Sequence, residues 1–276
     1  MKPRRFAYHR PTRLEDALAL IAEHDDVAVL AGGQSLVPMM NARLAAPEVV
    51  VDINALADLE HVTVEGDRLV VGALVRHEAM ARHALVLERL PLLARMAASI
   101  AHWPIRTRGT VGGSLAHADP SAQWPLAAVL LEAELVLASC EGKRVVAAAT
   151  FFSGALMTTI EPGELLTEVR FRLPARQHRA GFRYLSRRPG DYAIAMAACI
   201  IEPAYRRLAV GGVEPVPLDR SAALGELEHG TAAAAHAAAA GIRPMDDPRA
   251  PASYRSSVLP TIIGDCLADA LAESHQ

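Results

Sequence analysis

The stretch AGGQSLVPMM at residues 31–40 places two glycines, a glutamine and a serine directly behind the apolar run DVAVL of residues 26–30. Glycine adopts a positive φ without steric cost, and its missing side chain lets a second molecule approach the main-chain amides closely. A glycine pair behind a strand therefore has two interpretations, an ordinary strand-to-helix turn or a cradle for an anion. Residues 31–40 by themselves leave both interpretations open.

A second glycine pair repeats this pattern in RGTVGGSLAHADPS, residues 108–121. Two such loops together fit one diphosphate whose charge is neutralised by main-chain N–H groups without a lysine. Hydroxyl and amide side chains suited to phosphate or ribityl oxygens stand nearby, namely Gln34, Ser35, Thr110, Ser114 and Gln123. The two loops therefore predict a dinucleotide cofactor.

Familiar nucleotide and catalytic motifs do not occur in the sequence. It contains neither G-x-G-x-x-G between a strand and a helix nor a loop ending in G-K-S or G-K-T, which disfavours the Rossmann and P-loop folds. The 11 histidines are scattered, and pairs such as His77 and His83 lack the spacing of a metal site or a catalytic triad. His117 and Asp119 lie too close in sequence for a credible dyad. We predict no catalytic side chain and no metal ligand.

Composition excludes several classes of protein. A net charge of −3 and 4% aromatic residues provide no basic stripe or stacking platform for nucleic acid. No apolar run approaches the roughly 20 residues of a membrane-spanning helix, and the charged N-terminal segment lacks the apolar core of a secretory signal. We expect no membrane span and a cytoplasmic location. Cys140, Cys199 and Cys266 are expected to be buried thiols, too few to ligate an iron–sulfur cluster.

Hydrophobic periodicity predicts an α+β protein in three parts. Residues 1–57 combine helices with strands in the pattern of a small α/β unit. Residues 58–175 begin with a hairpin about Gly66, continue with a helical stretch broken near Pro91, and end in an alternating strand.

The last part, residues 176–276, is predicted to begin with strands and to end in helices. TAAAAHAAAAG, residues 231–241, predicts an exposed or half-exposed helix with Gly241 at its C-terminal cap. Residues 242–258 contain three prolines and are predicted to be a loop. A final amphipathic helix is then expected to begin at Leu259.

Together these motifs resemble the flavin-binding medium subunit of the molybdenum hydroxylases, the family that includes carbon monoxide dehydrogenase and the xanthine dehydrogenases. The resemblance spans nearly the whole chain, and its motifs follow in the family's order and spacing. They are AGGQSLVPMM (31–40), VDI (51–53), VGALVRH (71–77), IRTRGTVGGSLAHADP (105–120), FFSGALMTT (151–159), ELLTEV (164–169), RRPGDYAIA (187–195) and ASYRSSVLP (252–260).

The resemblance implies a vanillyl-alcohol-oxidase-like, PCMH-type FAD-binding fold. Two α/β subdomains would be followed by a smaller C-terminal α+β domain of antiparallel strands and helices, with FAD between them. Two loops would hold the diphosphate through their amides, formed by Ala31, Gly32, Gly33, Gln34, Ser35 and Leu36 and by Thr110, Gly112, Gly113 and Ser114.

For the rest of the cofactor, the resemblance implies contacts with Asp119, Leu166, Arg183 and Tyr192, the last beside the isoalloxazine ring. Gln123 departs from the family pattern, since many relatives carry an aspartate aimed at the ribityl chain. A glutamine carbonyl can still accept a hydrogen bond there, but without the charge. Weaker retention of FAD is therefore expected.

The function implied is that of the electron-transfer subunit in a heterotrimeric molybdenum hydroxylase. A small partner would supply electrons from two 2Fe–2S clusters, and a large partner would hold the molybdenum cofactor and hydroxylate the substrate. FAD would pass the electrons to NAD, a quinone or oxygen. Two alternatives are a self-contained flavin oxidase of the same superfold, for which residues 176–276 are a short substrate-binding cap, and a scaffold subunit without flavin.

Overall fold

A parallel three-stranded sheet forms the N-terminal part of the protein. The computed structural model describes residues 1–272. The elements of this part are β1 (Ala7–His9), α1 (Leu14–Glu23), β2 (Val27–Leu30), α2 (Leu36–Ala42) and β3 (Val49–Asp52). The sheet order is β1-β3-β2, and α1 buries its apolar face against the sheet. Because the strands are parallel, the loops that follow β2 and β3 lie at the same edge of the sheet.

The middle part contains a five-stranded antiparallel sheet, reached through a short 3₁₀ helix at Ala57–Leu59. Its strands, with a small hairpin inserted before the last, are β4 (Val62–Glu65), β5 (Arg68–Gly72), β6 (Glu134–Ser139), β7 (Gly142–Ala147), β8 (Phe152–Gly154), β9 (Met157–Thr158) and β10 (Leu165–Arg172). The order is β4-β5-β10-β6-β7, while β8 and β9 pair separately. The predicted hairpin about Gly66 is confirmed as the connection between β4 and β5.

Seven short helices accompany this sheet. They are α3 (His77–Arg82), α4 (Ala84–Arg89), α5 (Pro91–Ala98), α6 (Trp103–Arg106), α7 (Val111–His117), α8 (Gln123–Leu130) and α9 (Ala148–Phe151). The predicted break at Pro91 is confirmed, since the proline begins α5. A second break occurs at His83, whose extended backbone separates α3 from α4.

The C-terminal part is an antiparallel sheet with helices on one face. Its elements are β11 (Arg179–Leu185), β12 (Ala195–Ile201), β13 (Arg206–Gly211), β14 (Leu218–Asp219), a 3₁₀ helix (Ser221–His229), α10 (Thr231–Ala239) and α11 (Ala252–Ala272). Alternate residues of β12 point to opposite faces. Met196, Ala198 and Ile200 join the core of the middle part, while Ala195, Ala197 and Cys199 pack under α10 and α11. The sheet is therefore buried on both faces.

Two expectations for the chain were wrong. Residues 252–258 belong to α11 instead of a loop, because Pro251 lies just before the helix and Asp246 accepts the N–H of Ala252 at 2.6 Å. Pro260 is tolerated inside this helix. Of the three cysteines, Cys199 and Cys266 are buried, but Cys140 is exposed. In the part of the chain that the structure describes, no helix has the length and apolar character needed to cross a membrane.

Candidate functional site

A cavity of about 670 Å³ lies where the three parts of the protein meet. The first sheet contributes the loop after β2, the middle part contributes α7 with the residues around it, and the C-terminal part contributes the turn at residues 190–192. All the site residues predicted from the sequence line this cavity except Arg183. Residues distant in sequence, from Ala31 to Tyr192, are thus brought together around one space.

The first loop, residues 31–35, presents unpaired main-chain amides. Gly33 has a φ of 70°, a conformation that disfavours any side chain. Gln34 donates its side-chain amide to the Gly32 carbonyl at 3.0 Å, which holds the turn. Within residues 1–272, the N–H groups of residues 32–36 have no hydrogen-bond acceptor, although all five residues line the cavity. A run of unpaired amides beside a cavity is suited to an anion.

The second loop uses its amides differently from the expectation. Thr110 is the N-cap of α7, and its hydroxyl accepts the N–H of Gly113 at 3.0 Å. The N–H of Gly112 donates to Ala73 and that of Ser114 donates to Thr110. The expectation of free amides in both loops is therefore wrong for Gly112, Gly113 and Ser114, because the protein already accepts their protons.

Two of the glycines are required by contacts inside the protein. A Cβ built on Gly32 would lie 2.7 Å from the Cα of Gly109, so the two loops touch each other at this point. A Cβ built on Gly112 would lie 2.7 Å from the Cα of Ala73. Neither position can hold a side chain without moving backbone, whatever the cavity contains.

Asn54 and Arg76 connect the two loops. The side-chain amide of Asn54 donates to the carbonyl of Ala31 at 2.8 Å. The guanidinium of Arg76 donates to Asn54 Oδ1 at 2.6 Å and also to the carbonyl of Arg108. Burial raises the pKa of Asp52, but hydrogen bonds from Tyr8 and Asn54 outweigh that effect, so its pKa lies below the usual range. A charged Asp52 thus orients Asn54, and sequence reasoning had missed both Asn54 and Arg76.

The remaining predicted residues occupy different positions in the cavity wall. Asp119 accepts the N–H of Ser121 at 2.8 Å. Gln123 is buried at the start of α8, with its side-chain amide 3.3 Å from Ser99 Oγ. Leu166 lies on β10 and is buried. The structure does not bring Arg183 to the cavity, because it pairs with Asp269 of α11 at 2.6 Å.

Tyr192 lines the cavity, and Arg249 packs against its ring. Its side chain is 46% exposed, and the guanidinium of Arg249 lies over its ring, 5.5 Å from the ring centre. Arg249 in turn pairs with Asp247 at 2.8 Å. Burial raises the pKa of Asp247, but hydrogen bonds from Arg249 and Ala250 outweigh it and leave the pKa at about 2. This charged pair supports the position of the Tyr192 ring.

His77 is a buried residue of the cavity wall that sequence reasoning set aside. It is 5% exposed, and its Nδ1 accepts the indole N–H of Trp124 at 3.0 Å. Burial and the nearby charges of Arg76 and Arg106 lower its pKa from 6.5 to about 3. The imidazole is therefore neutral at physiological pH. No local spacing in the sequence indicated this contact, because the partner Trp124 lies 47 residues away.

Comparison with known proteins identifies the family. Residues 4–175 match the family described as the FAD binding domain in molybdopterin dehydrogenase. This chain belongs to that family. It is an oxidoreductase component, and its cofactor is FAD.

The relatives of this FAD-binding subunit extend beyond the matched domain. It is 37% identical to the 6-hydroxypseudooxynicotine dehydrogenase complex subunit alpha of Paenarthrobacter nicotinovorans, over 98% of this chain and 96% of that protein. It is 40% identical to the caffeine dehydrogenase subunit beta of a Pseudomonas strain, over 79% of this chain and 76% of that protein. The solved structure of carbon monoxide dehydrogenase from Hydrogenophaga pseudoflava matches with a TM-score of 0.95, 35% identity and full coverage of both chains.

The residues around the cavity of this FAD-binding subunit fit a dinucleotide. Its volume lies within the range of cofactor pockets, roughly 300–1,000 Å³. Among the described residues that line it there is no lysine or arginine, so a diphosphate would meet main-chain amides and hydroxyls such as that of Ser35 in place of a cationic side chain. Hydrogen bonds from Arg144 hold the pKa of Glu164 below the usual range, so Glu164 is ionised, and the guanidinium of Arg144, 2.7 Å away, offsets its negative charge. Apolar side chains such as Ile100 and Leu166 suit a flavin ring.

Proposed function

We propose that this chain is the electron-transfer subunit of a heterotrimeric molybdenum hydroxylase. It receives electrons from the 2Fe–2S clusters of a small partner, while a large partner holds the molybdenum cofactor. The observation that carries the proposal is the cavity wall of five unpaired amides, residues 32–36, in a chain similar over its full length to medium subunits. FAD, when bound, accepts electrons singly and passes them on singly or as hydride.

The residues assigned to FAD follow from the cavity wall. The amides of residues 32–36 hold the diphosphate, with the hydroxyls of Ser35 and Ser114 beside it. Gln123 accepts a hydrogen bond from the ribityl chain, near Asp119. Leu166 and Tyr192 enclose the isoalloxazine ring. The fold assigned is PCMH-type, with two subdomains divided near residue 57 and a C-terminal domain that begins near residue 176.

The substrate is chosen by another subunit. Relatives of similar length carry the names of dehydrogenases for caffeine, for 6-hydroxypseudooxynicotine and for carbon monoxide, which share little chemistry. Relatives that share one fold and one cofactor but belong to enzymes for such different substrates have electron transfer in common, not substrate binding. The final acceptor is NAD, a quinone or oxygen, and the complex works in the cytoplasm.

Exposed apolar side chains at the rim of the cavity are the proposed contact with the small partner. Trp103 is 59% exposed and follows Ala101, which lines the cavity. Met157 is 61% exposed on the hairpin whose Leu156 donates its N–H to Ala118. A partner seated on this rim brings its cluster close to the flavin, as electron transfer requires. Trp, Met and Tyr are enriched in such interfaces.

Purification of the full chain tests the function. We expect a flavin absorption spectrum after incubation with FAD, no oxidation of organic substrates, and re-oxidation of the dithionite-reduced protein by added quinone, NAD or oxygen. Steady turnover of an organic substrate by the chain alone would point instead to a self-contained oxidase. A protein that stays colourless with excess FAD would point to a scaffold subunit.

A further inference from the structure

One imidazole nitrogen in the cavity wall has no hydrogen-bond partner among residues 1–272. The indole N–H of Trp124 can only donate, so Nδ1 of His77, 3.0 Å away, must be an unprotonated acceptor. A neutral imidazole then carries its single proton on Nε2. The buried Trp124 thus determines the tautomer of His77. It does so through Nδ1, which leaves Nε2 as the protonated nitrogen.

Nε2 lies at the place where the two glycine loops touch. A Cβ built on Gly109 would lie 2.6 Å from Nε2, and Gly109 is also the residue that Gly32 approaches. Among residues 1–272, no acceptor is within hydrogen-bond reach of Nε2, yet His77 lines the cavity. Nε2 is not among the fully buried, unpaired side-chain atoms of residues 1–272, so it is open to the cavity, where a ligand atom can accept its proton.

We propose that His77 is a further cofactor-binding residue, whose Nε2–H donates a hydrogen bond to a phosphate oxygen of FAD. The proposal rests on the placement of FAD given above, and the position of Nε2 against Gly109, the residue that meets Gly32 of the first loop, favours the diphosphate. A neutral donor adds a directed bond to the amides of residues 32–36 without adding charge. Trp124 is a positioning residue that acts through His77.

Two isosteric variants separate the two nitrogens of His77. The amide of asparagine takes the place of Nδ1, so His77→Asn keeps an acceptor for Trp124 but leaves the cavity without the donor. The longer glutamine places its amide near Nε2, so His77→Gln keeps the donor and removes the acceptor. His77→Asn therefore loses only the donor to the ligand, and His77→Gln loses only the acceptor for Trp124. Comparing the two variants separates a role in binding from a role in folding.

The test measures binding of FAD, ADP and riboflavin to the full chain, together with thermal unfolding. His77→Asn is expected to bind FAD and ADP about 10- to 100-fold more weakly, the loss typical of one hydrogen bond to a charged group, while its Tm stays near that of the wild type. His77→Gln is expected to keep most of the affinity and to lose Tm. Riboflavin, which has no phosphate, should bind all three proteins equally.

Nitrogen-15 spectra of the imidazole provide a second readout. The wild type should show the neutral Nε2–H tautomer, and its Nε2 proton should shift downfield when ADP is added. Equal affinity of the wild type and His77→Asn for FAD and ADP overturns the role of His77 and leaves the FAD site intact. Weaker binding of riboflavin by His77→Asn overturns the diphosphate assignment. A wild-type chain that binds neither FAD nor ADP overturns the proposed function itself.

Discussion

At the scale of single residues, each glycine of the two loops has its own physical reason. Gly33 needs its positive φ, whereas Gly32 and Gly112 are bare because backbone from another segment lies where a Cβ would stand. Gly112 and Gly113 donate their main-chain protons to the protein, so these glycines shape the cavity wall without offering free amides to an anion. Sequence alone cannot separate these reasons, because each of them requires the same residue type.

Gly112→Ala should destabilise the fold by about 1–3 kcal/mol, the usual cost of overpacking, because the new Cβ would meet the backbone of Ala73. The free energy of unfolding is measured in urea. Gly225→Ala is the matched control, since a Cβ there meets nothing within 4 Å, and it should change stability little. A Gly112→Ala protein as stable as this control would show that the close approach to Ala73 relaxes freely.

At the scale of elements, helix α11 shows how a tertiary contact overrides a local signal. Its first turn carries Arg255, which is fully buried. The guanidinium donates to the carbonyls of Ile194 and Gly212 and pairs with Asp247 at 2.6 Å. These hydrogen bonds anchor the first turn of the helix beside β12, next to the turn that carries Tyr192. Three prolines indicated a loop, but the buried arginine places the helix there.

Arg255→Met should lower the free energy of unfolding by about 3–5 kcal/mol, because it leaves two buried carbonyls without their donor and Asp247 without one of its two arginine partners. Chemical denaturation followed by circular dichroism measures the loss. Arg206→Met, on an exposed residue of β13, is the control and should stay within about 0.5 kcal/mol of the wild type. Similar stability of the two variants would contradict the fastening role of Arg255.

At the scale of the whole molecule, the cavity exists because three parts of the chain converge on it. Its rim carries exposed apolar side chains, among them Trp103 and Met157. Exposed residues of this size are costly in a free protein when they form a patch, and such patches mark interaction sites. The proposed contact with the small partner uses this rim.

Trp103→Glu should weaken assembly with the small partner at least about tenfold, since truncated aromatic anchors commonly cost an interface 2 kcal/mol or more. Native mass spectrometry of the co-expressed subunits measures the fraction assembled. Leu87→Glu is the control, because Leu87 is 51% exposed on α4, which does not line the cavity. Equal loss of assembly in both variants, or in neither, would refute the rim as the contact.

Much of the fold could be predicted from local patterns. The hairpin about Gly66, the break at Pro91 and the strand that ends the middle part were all visible in periodicity and turn residues. The convergence of the two glycine loops on one ligand was predicted from their residues, whereas the approach of Leu166 and Tyr192 to it was predicted only through the resemblance. The resemblance was not sufficient for Arg183. This residue lies outside the cavity and pairs with Asp269 on a helix distant in sequence. The exposure of Cys140 in the turn between β6 and β7 was likewise not readable from its residue type.

The sequence by itself determined the order of the elements, the two bare loops and the lack of cluster-forming cysteines, because these depend on residue type and on neighbours a few positions away. Only the tertiary structure decided which amides remain free, that Asn54 and Arg76 join the loops, and that Trp124 sets the tautomer of His77. The bonds of Asn54, Arg76 and Trp124 join residues more than 20 positions apart, and a hydrogen-bonding group is known to be used or free only when its distant partner has been placed.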